Sequence, residues 1–182
     1  MIGSIYEYTR KHPVDETIEG VNYQLGAENS GNVQAETVRI KGHWSRSLKG
    51  IRTFKGTFEF ANRDIPVPEE SREVIVRFSK EGYGPVVYQY LDDTNKWEVR
   101  TKFFNDGIMF ANSDFSSVVF MIPSEDKVES ESISNGRYWS GENGLMFAGP
   151  ATTREQALAI SNALTEKHFT RHGFVNKRFI LE

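Results

Sequence analysis

The sequence predicts a mainly β protein, an eight-stranded antiparallel up-and-down barrel followed by one C-terminal α-helix. Three observations favour this fold. Apolar and polar residues alternate along several short segments, turn-forming residues separate those segments, and one later segment has the spacing of an amphipathic helix. Closure into a barrel removes the exposed edges of such a sheet. A curved open antiparallel sheet packed on the same helix is the alternative.

The composition fits one domain of this kind. The chain has 182 residues, of which 38% are hydrophobic, 13% aromatic and 26% charged, and these values exclude the disordered and fibrous classes. Because the chain has no cysteine, disulfides, thiolate metal sites and cysteine nucleophiles are excluded. The net charge of −3 leads us to expect no nucleic-acid partner.

Residues 1–35 are polar and rich in turn-forming residues, and we expect an N-terminal arm there with at most short structure. The chain starts with an apolar stretch, Met1 to Tyr6, that gives way to polar residues. This pattern indicates a removed membrane anchor and hence an extracytoplasmic protein; a cytoplasmic chain is the alternative. No segment is apolar over the length of a membrane span, and no signal peptide is visible. Residues 36–182 are expected to form the barrel domain.

The first two predicted strands alternate most regularly. Every second residue from Val38 is on one face, and the same pattern resumes after the turn at 48–50. Such alternation is typical of a strand with one buried face. The predicted inner residues are Val38, Ile40, Gly42 and Trp44 in the first strand, and Phe54, Gly56, Phe58 and Phe60 in the second.

Further short apolar segments complete the predicted sheet. Turn-forming residues separate them, and one turn, Asn105-Asp106-Gly107, has a hairpin signature of the Asp-Gly type. A polar, acidic loop is expected from 123 to 142. The predicted strands cover residues 74–78, 86–91, 97–103, 108–111, 118–122 and 145–147, with a last short strand over 174–181.

One segment predicts a helix, near residues 153–172. Thr153 is in position to cap its N-terminus, and Gln156 three residues later completes a capping box. Gly173 fits a C-terminal stop. The apolar stripe at helical spacing comprises Ala157, Ile160, Ala163 and Leu164.

The order of these elements, eight strands, a helix and a further short strand, resembles that of the lipocalin family over residues 36–181. Gly42-His43-Trp44 is similar to the Gly-x-Trp signature of the family's first strand. The resemblance implies that Trp44 plugs the closed end of the barrel beneath a late arginine, for which Arg178 is the candidate. The chain is also similar to uncharacterised membrane-anchored or exported proteins of Gram-positive bacteria, which agrees with an extracytoplasmic location.

The large rings on the predicted inner face are the candidate site. A small barrel is filled by side chains or holds one small ligand, so these rings form either a packed core or a pocket for a small apolar ligand. The candidate ligand-binding residues are Trp44, Phe58, Phe78, Tyr88, Trp97, Phe103 and Phe120. The other rings assigned to this face are Phe54, Phe60, Phe110 and Tyr90, the last as an alternative to Tyr88.

The outer face of the first hairpin is basic and supplies the alternative function, a protein-interaction or structural domain with a protein or anionic surface as its partner. A solvated face is the simpler interpretation. Its cations are Arg39, Lys41, Arg46, Lys49, Arg52 and Lys55.

No motif recommends a catalytic site, a metal or a cofactor. His168 and His172 lie one helical turn apart, but the carboxylate of a zinc-protease helix is missing between them. Asp92 to Asn95 has calcium-like side chains without the twelve-residue loop, and it is read as a hairpin turn. Ser124 and Lys127 have Ser-x-x-Lys spacing in a polar loop, where it carries little weight. The leading prediction is therefore a non-enzymatic binding module at the bacterial cell surface.

Overall fold

The computed structural model describes residues 9–92, 100–124, 137–171 and 181–182. Within these ranges the chain forms eight strands and one long helix, α1. Their bounds are β1 His12–Gln24, β2 Val33–Arg46, β3 Arg52–Phe60, β4 Val74–Phe78, β5 Tyr83–Asp92, β6 Arg100–Ala111, β7 Val118–Ile122, β8 Leu145–Gly149 and α1 Arg154–Arg171.

The strands form one antiparallel sheet in the order β4-β3-β2-β1-β8-β7-β6-β5. Its two end strands, β4 and β5, follow each other in sequence through a tight turn at 79–82 and lie side by side. A Cβ atom added to Gly84 of β5 would come within 2.6 Å of Val76 of β4. Among the described strands, β4 and β5 are the one neighbouring pair without a hydrogen-bonded ladder. The predicted eight-stranded barrel with a C-terminal helix is confirmed, and the barrel is nearly closed.

The prediction of an arm with at most short structure is wrong for the region of β1. This strand pairs with β2 along its length, from His12 opposite Trp44 to Tyr23 opposite Val33, and its last four residues pair with β8. The alternation is hard to recognise because the first half buries only Val14 and Ile18, while α1 covers the outer face from Val21 onward. Because both faces of this part of β1 are buried, apolar and polar residues do not alternate along its sequence.

The predicted hairpin at Asn105-Asp106-Gly107 is also wrong, because β6 runs through these residues as one strand. Val86 of β5 pairs with Gly107 and Val87 pairs with Asn105, so Asp106 is an extra residue in a β-bulge. Gly107 has a φ of 103°, and its N–H donates to Asn105 Oδ1 at 3.0 Å. A bulge and a tight hairpin both need a residue that tolerates positive φ, so one sequence pattern serves either. The prediction omitted β1 and divided β6 into two strands, so the predicted number of barrel strands is eight, as in the structure.

Helix α1 lies across the outer faces of β1, β8, β7 and β6 and confirms the predicted helix. The backbone N–H of Gln156 donates to Thr153 Oγ1 at 3.3 Å, which is one half of the predicted capping box, and Gln156 Oε1 accepts the backbone N–H of Thr152 at 2.9 Å. Tyr23 of β1 donates to Ser161 Oγ of the helix at 2.7 Å, and both side chains are buried. Phe110, expected inside the barrel, is buried in this outer layer instead. No helix in the described ranges is both long and apolar enough to cross a membrane.

Candidate binding sites at the two ends of the barrel

Phenylalanine rings fill the centre of the barrel. Successive rings lie 5.2–5.8 Å apart between centroids, and many contacts are edge to face, the arrangement that aromatic quadrupoles favour. The centre is therefore a packed aromatic core, and space for a ligand has to be sought at the ends of the barrel. The row runs through Phe78, Phe115, Phe54, Phe58 and Phe120, and Phe60 and Phe147 pack against its last ring.

Four of the predicted ligand-binding residues belong to this core. Phe58, Phe78, Tyr88 and Phe120 are all at most 4% exposed. Their inward orientation is as predicted, whereas a role in binding stays a prediction.

Phe103 requires a correction. It was expected on the inner face, yet its side chain is 67% exposed. Phe104 contacts the core instead, with its ring centroid 6.3 Å from that of Tyr88. The bulge at Asp106 explains the difference, because one extra residue in a strand reverses the faces on one side of it. Trp97, the other candidate in the predicted strand over 97–103, lies outside the described residues.

Trp44 packs only partly against the core. Its ring stacks on that of His12 in β1, with centroids 4.3 Å apart. The Arg46 guanidinium lies 5.8 Å from the Trp44 ring, and the expected partner, Arg178, is outside the described residues. The lipocalin resemblance therefore pointed to a tryptophan that lies at the margin of the core.

A different arginine caps this end of the barrel. Arg52 lies 4.2 Å from the centroid of Phe78 and donates to the carbonyl oxygens of Ala111 and Asn112, at 3.0 and 2.6 Å. Burial lowers the pKa of Arg52 to about 10, and the nearby charge of Arg46 acts in the same direction. The guanidinium thus closes the aromatic row and joins β3 to the loop after β6.

We call this end the hairpin end, because the turns at 47–51 and 79–82 lie there. Between the two turns is a cleft of about 490 Å³, which we call the basic cleft. Apolar and cationic side chains line it together. Its lining comprises Lys49, Gly50, Ile51, Arg77, Phe78, Ser79, Lys80, Tyr83 and Pro85.

The opposite, covered end is crossed by the segment between β3 and β4, residues 61–73, which we call the covering segment. Its Ile65 and Val67 side chains are 3% exposed and belong to the barrel core. Arg72 holds the segment in shape, because it donates to the carbonyl oxygens of Val67 and Ile65 at 2.9 and 3.1 Å. The buried carboxylate of Glu36 accepts the backbone N–H of Asn62 at 3.0 Å. Two apolar side chains of the chain itself thus fill the mouth of the barrel.

A buried ion pair joins the covering segment to the far side of the barrel. Arg63 donates to both oxygens of Asp106, with Nη1–Oδ1 at 2.6 Å and Nη2–Oδ2 at 3.0 Å. The same guanidinium lies 3.9 Å from the ring centroid of Phe60, so an arginine caps the aromatic row at this end as well. Burial raises the pKa of the Asp106 carboxyl, against the opposing effect of Arg63. Sequence reasoning missed the pair because it placed Asp106 in an exposed turn.

Tyr88 contributes a buried hydroxyl near this pair. The residue has no exposed surface, and its hydroxyl has no hydrogen-bond partner among the described residues. Burial raises the pKa of Tyr88, and the negative charge of Asp106 adds to this effect. A second cleft, of about 280 Å³, opens beside the covering segment and is lined by Phe58, Glu59, Phe60, Ala61, Asn62, Arg63, Asp64, Ile65 and Arg72.

The basic face of the first hairpin is less open than the sequence predicts. Arg39 pairs with Asp15 of β1 at 3.3 Å, and Lys55 pairs with Glu73 at 2.8 Å. Arg52, a third cation of this face, donates to backbone carbonyl oxygens at the hairpin end. The six cations therefore do not form one unpaired surface.

In the described part of the chain, no group of three His, Cys, Asp or Glu side chains is placed to hold a metal ion. The ring of His168 packs against Tyr83 and Phe110, with centroids 4.3 and 5.6 Å away. His172 lies outside the described residues, and Asp92 forms an ion pair with Lys102.

Together these features define a nearly closed antiparallel barrel of lipocalin-like shape, with an aromatic core, an arginine at each end and a cleft beside each arginine. Comparison with protein-family models, curated proteins and solved structures finds no match to this chain. The lipocalin resemblance therefore concerns the shape of the fold.

Proposed function

We propose that this protein is a non-enzymatic binding module that takes a small, largely apolar ligand with one hydrogen-bond acceptor at the covered end of the barrel. The observation that carries the proposal is the Tyr88 hydroxyl, fully buried and without a hydrogen-bond partner among the described residues. An unsatisfied buried donor costs about 1–3 kcal/mol. An acceptor on a ligand would remove that cost.

The surroundings of Tyr88 set the chemistry of such a ligand. Phe104 and the aromatic row provide apolar contacts, whereas the charges of the nearby Arg63 and Asp106 are paired with each other. The Nε–H of Arg63 is a second buried donor without a hydrogen-bond partner among the described residues. A ligand with a net charge would have to be buried without a counter-ion, at a large desolvation cost. A neutral ring or short chain with a carbonyl or ether oxygen fits this environment best.

The covering segment supplies the route of entry. Ile65 and Val67 occupy the mouth of the barrel, and the second cleft reaches the same segment. The ligand would enter when the segment moves aside and the ion pair between Arg63 and Asp106 opens, and it would take the place of these two side chains after the pair has formed again. Desolvation of Asp106 offsets part of the attraction in that pair, as the direction of its pKa change indicates.

The alternative, an interaction domain that uses the basic first-hairpin face, is less well supported. Asp15 and Glu73 neutralise two of its cations, Arg39 and Lys55. The cell-surface location that the sequence predicts stays a prediction.

Two isosteric probes test the proposal, acetophenone with a carbonyl oxygen and α-methylstyrene with a CH₂ group in its place. Each is titrated into the ¹⁵N-labelled protein, and NMR shift changes are followed. We expect both to perturb the covered end, with acetophenone binding about fivefold tighter, the equivalent of one hydrogen bond.

Tyr88→Phe is the matched variant, since it removes only the hydroxyl. It should bind the two probes equally. Absence of shift changes at the covered end, or a preference for acetophenone that survives in Tyr88→Phe, would overturn the proposal.

A further inference from the structure

The hairpin end exposes apolar side chains that have no role in the core. Leu48 and Ile51 flank the tip of the β2–β3 turn, with 71% and 45% of their surfaces exposed. Large apolar groups grouped at a projecting turn are unusual on a solvated surface and are typical of a contact site.

The turn that carries them is held in a defined shape. The N–H of Ser47 donates to the Ile51 carbonyl oxygen at 2.9 Å, and that of Gly50 donates back to Ser47 at 2.8 Å. The Ser47 hydroxyl accepts the Ile51 N–H at 3.2 Å, and Gly50 has a φ of 81°, which glycine adopts without strain. Leu48 is therefore presented outward by backbone bonds.

The β4–β5 turn repeats the same arrangement beside it. The N–H of Ser79 donates to the Tyr83 carbonyl oxygen at 2.7 Å, that of Gly82 donates to Ser79 at 3.1 Å, and Gly82 has a φ of 87°. Residues 47–51 and 79–83 are thus two equivalent turns, each starting with serine and carrying glycine at its fourth position. Lys80 takes the place in the second turn that Leu48 has in the first.

Three cations lie in the cleft beside the apolar tip, and Glu81, which takes the place of Lys49 in the second turn, is not part of the lining. Lys49, Arg77 and Lys80 line the basic cleft between the two turns, and its lining includes no acidic side chain among the described residues. The remainder of the lining is largely apolar and includes Phe78, Tyr83 and Pro85. A site with this profile fits a partner that is apolar and anionic at once.

We propose that the hairpin end docks on a bilayer that contains anionic phospholipid. Leu48 and Ile51 enter the interface, and the basic cleft receives the phosphate of one lipid between Lys49 and Lys80. Apolar burial and attraction to anionic lipid together hold peripheral proteins at membranes. A free phosphate ion would leave the apolar tip in water, so charge and apolarity together favour the lipid surface.

This site is independent of the ligand proposed for Tyr88, because the two lie at opposite ends of the barrel. The full chain is tested by co-sedimentation with vesicles of phosphatidylcholine alone and of phosphatidylcholine with an equal part of phosphatidylglycerol. We expect binding to the anionic vesicles, little binding to the neutral ones, and weaker binding as salt is raised.

Two double variants separate the contributions. Leu48→Ser with Ile51→Ser should weaken vesicle binding about tenfold, and Lys49→Gln with Lys80→Gln about 25-fold, at about fivefold for each cation near an anionic surface. All four positions are on the surface, and circular dichroism checks that the variants are folded.

The matched controls lie away from the hairpin end. Leu91→Ser with Phe103→Ser removes two apolar side chains that are 63% and 67% exposed, and Lys41→Gln removes a cation from the outer face of β2. Both should bind like wild type, as should Tyr88→Phe. The proposal is overturned by equal binding to neutral vesicles, by no binding to either vesicle, or by tip variants that match the controls. It is also overturned if inorganic phosphate shifts the NMR signals of the cleft while vesicles do not bind.

Discussion

Arg63 and Asp106 form a bidentate ion pair across the covered end of the barrel, with both N–O distances at or below 3.0 Å. The pair connects a segment between two strands, residues 61–73, to a bulge in β6. The Asp106 side chain is 1% exposed, and the guanidinium lies against the ring of Phe60. The covering segment therefore depends on a contact between residues that are 43 positions apart.

Arg63→Met should lower the free energy of unfolding by about 3–5 kcal/mol, because it removes the cation hydrogen-bonded to the buried Asp106 carboxylate and leaves only the weaker attraction of Arg137. The double variant Arg63→Met with Asp106→Leu should recover most of this loss, since an apolar pair of similar size removes the uncompensated charge. Urea unfolding measures both.

Arg39→Met is the control for the loss of an arginine, because its pair with Asp15 is exposed. Its cost should be about 0–1 kcal/mol. Equal losses for Arg63→Met and Arg39→Met would contradict the buried role of Arg63.

Ile65→Ala should cost about 2–4 kcal/mol, because it removes a core side chain and leaves a cavity beneath the covering segment. That cavity should also raise the affinity for α-methylstyrene. Ile75→Ala is the matched control, since this side chain on β4 is 55% exposed and its loss should change stability by less than about 0.5 kcal/mol. Similar costs at both positions would show that Ile65 does not fill the mouth of the barrel.

Because Tyr23 is buried, the protein should lose stability at alkaline pH. Burial raises the pKa of Tyr23 from 10.0 to about 12, while the hydrogen bond with Ser161 opposes the shift. The unfolded chain loses this proton near pH 10 and the folded protein near pH 12, so the stabilisation is complete below pH 10 and is lost as pH rises through that window.

The comparison with Tyr23→Phe isolates this effect. The unfolding free energy of wild type relative to the variant should fall by about 2–3 kcal/mol between the two pH values, at about 1.4 kcal/mol per unit of pKa, so that the variant becomes the more stable protein near pH 12. A difference that stays constant across the window would refute the assignment. At neutral pH the variant should lose about 1 kcal/mol with the hydrogen bond to Ser161.

The fold was predictable where one face of a strand meets the core and the other meets water. This holds for β2 and β3, where Ile40 and Phe58 are buried opposite each other. It fails for β1, because α1 covers the outer face at Val21 and Tyr23 and the alternation disappears. Whether a strand is covered on one face or on both depends on tertiary packing, which the sequence of that strand alone does not specify.

The ends of the barrel were harder to predict than its centre. Aromatic residues on the inner faces indicated a core, and the choice between core and pocket depended on distances between rings. The covered end depends on the conformation of a single residue, Gly107, since the bulge there turns Asp106 inward. An Asp-Gly pair has the same local preferences in a hairpin turn and in a bulge, so the sequence alone did not separate them.

Gly107→Ala tests the origin of the ion pair. At a φ of 103° an L-residue is strained, and the added Cβ would overlap the carbonyl oxygen of Met121 in β7. We expect a loss of about 2–4 kcal/mol in unfolding free energy, together with NMR shift changes at Arg63 as Asp106 leaves its place. Gly31→Ala is the control, because nothing lies within 4 Å of its added Cβ, and it should change stability by less than about 1 kcal/mol. If Gly107→Ala were as mild as Gly31→Ala, the bulge would not be what aims Asp106 into the barrel.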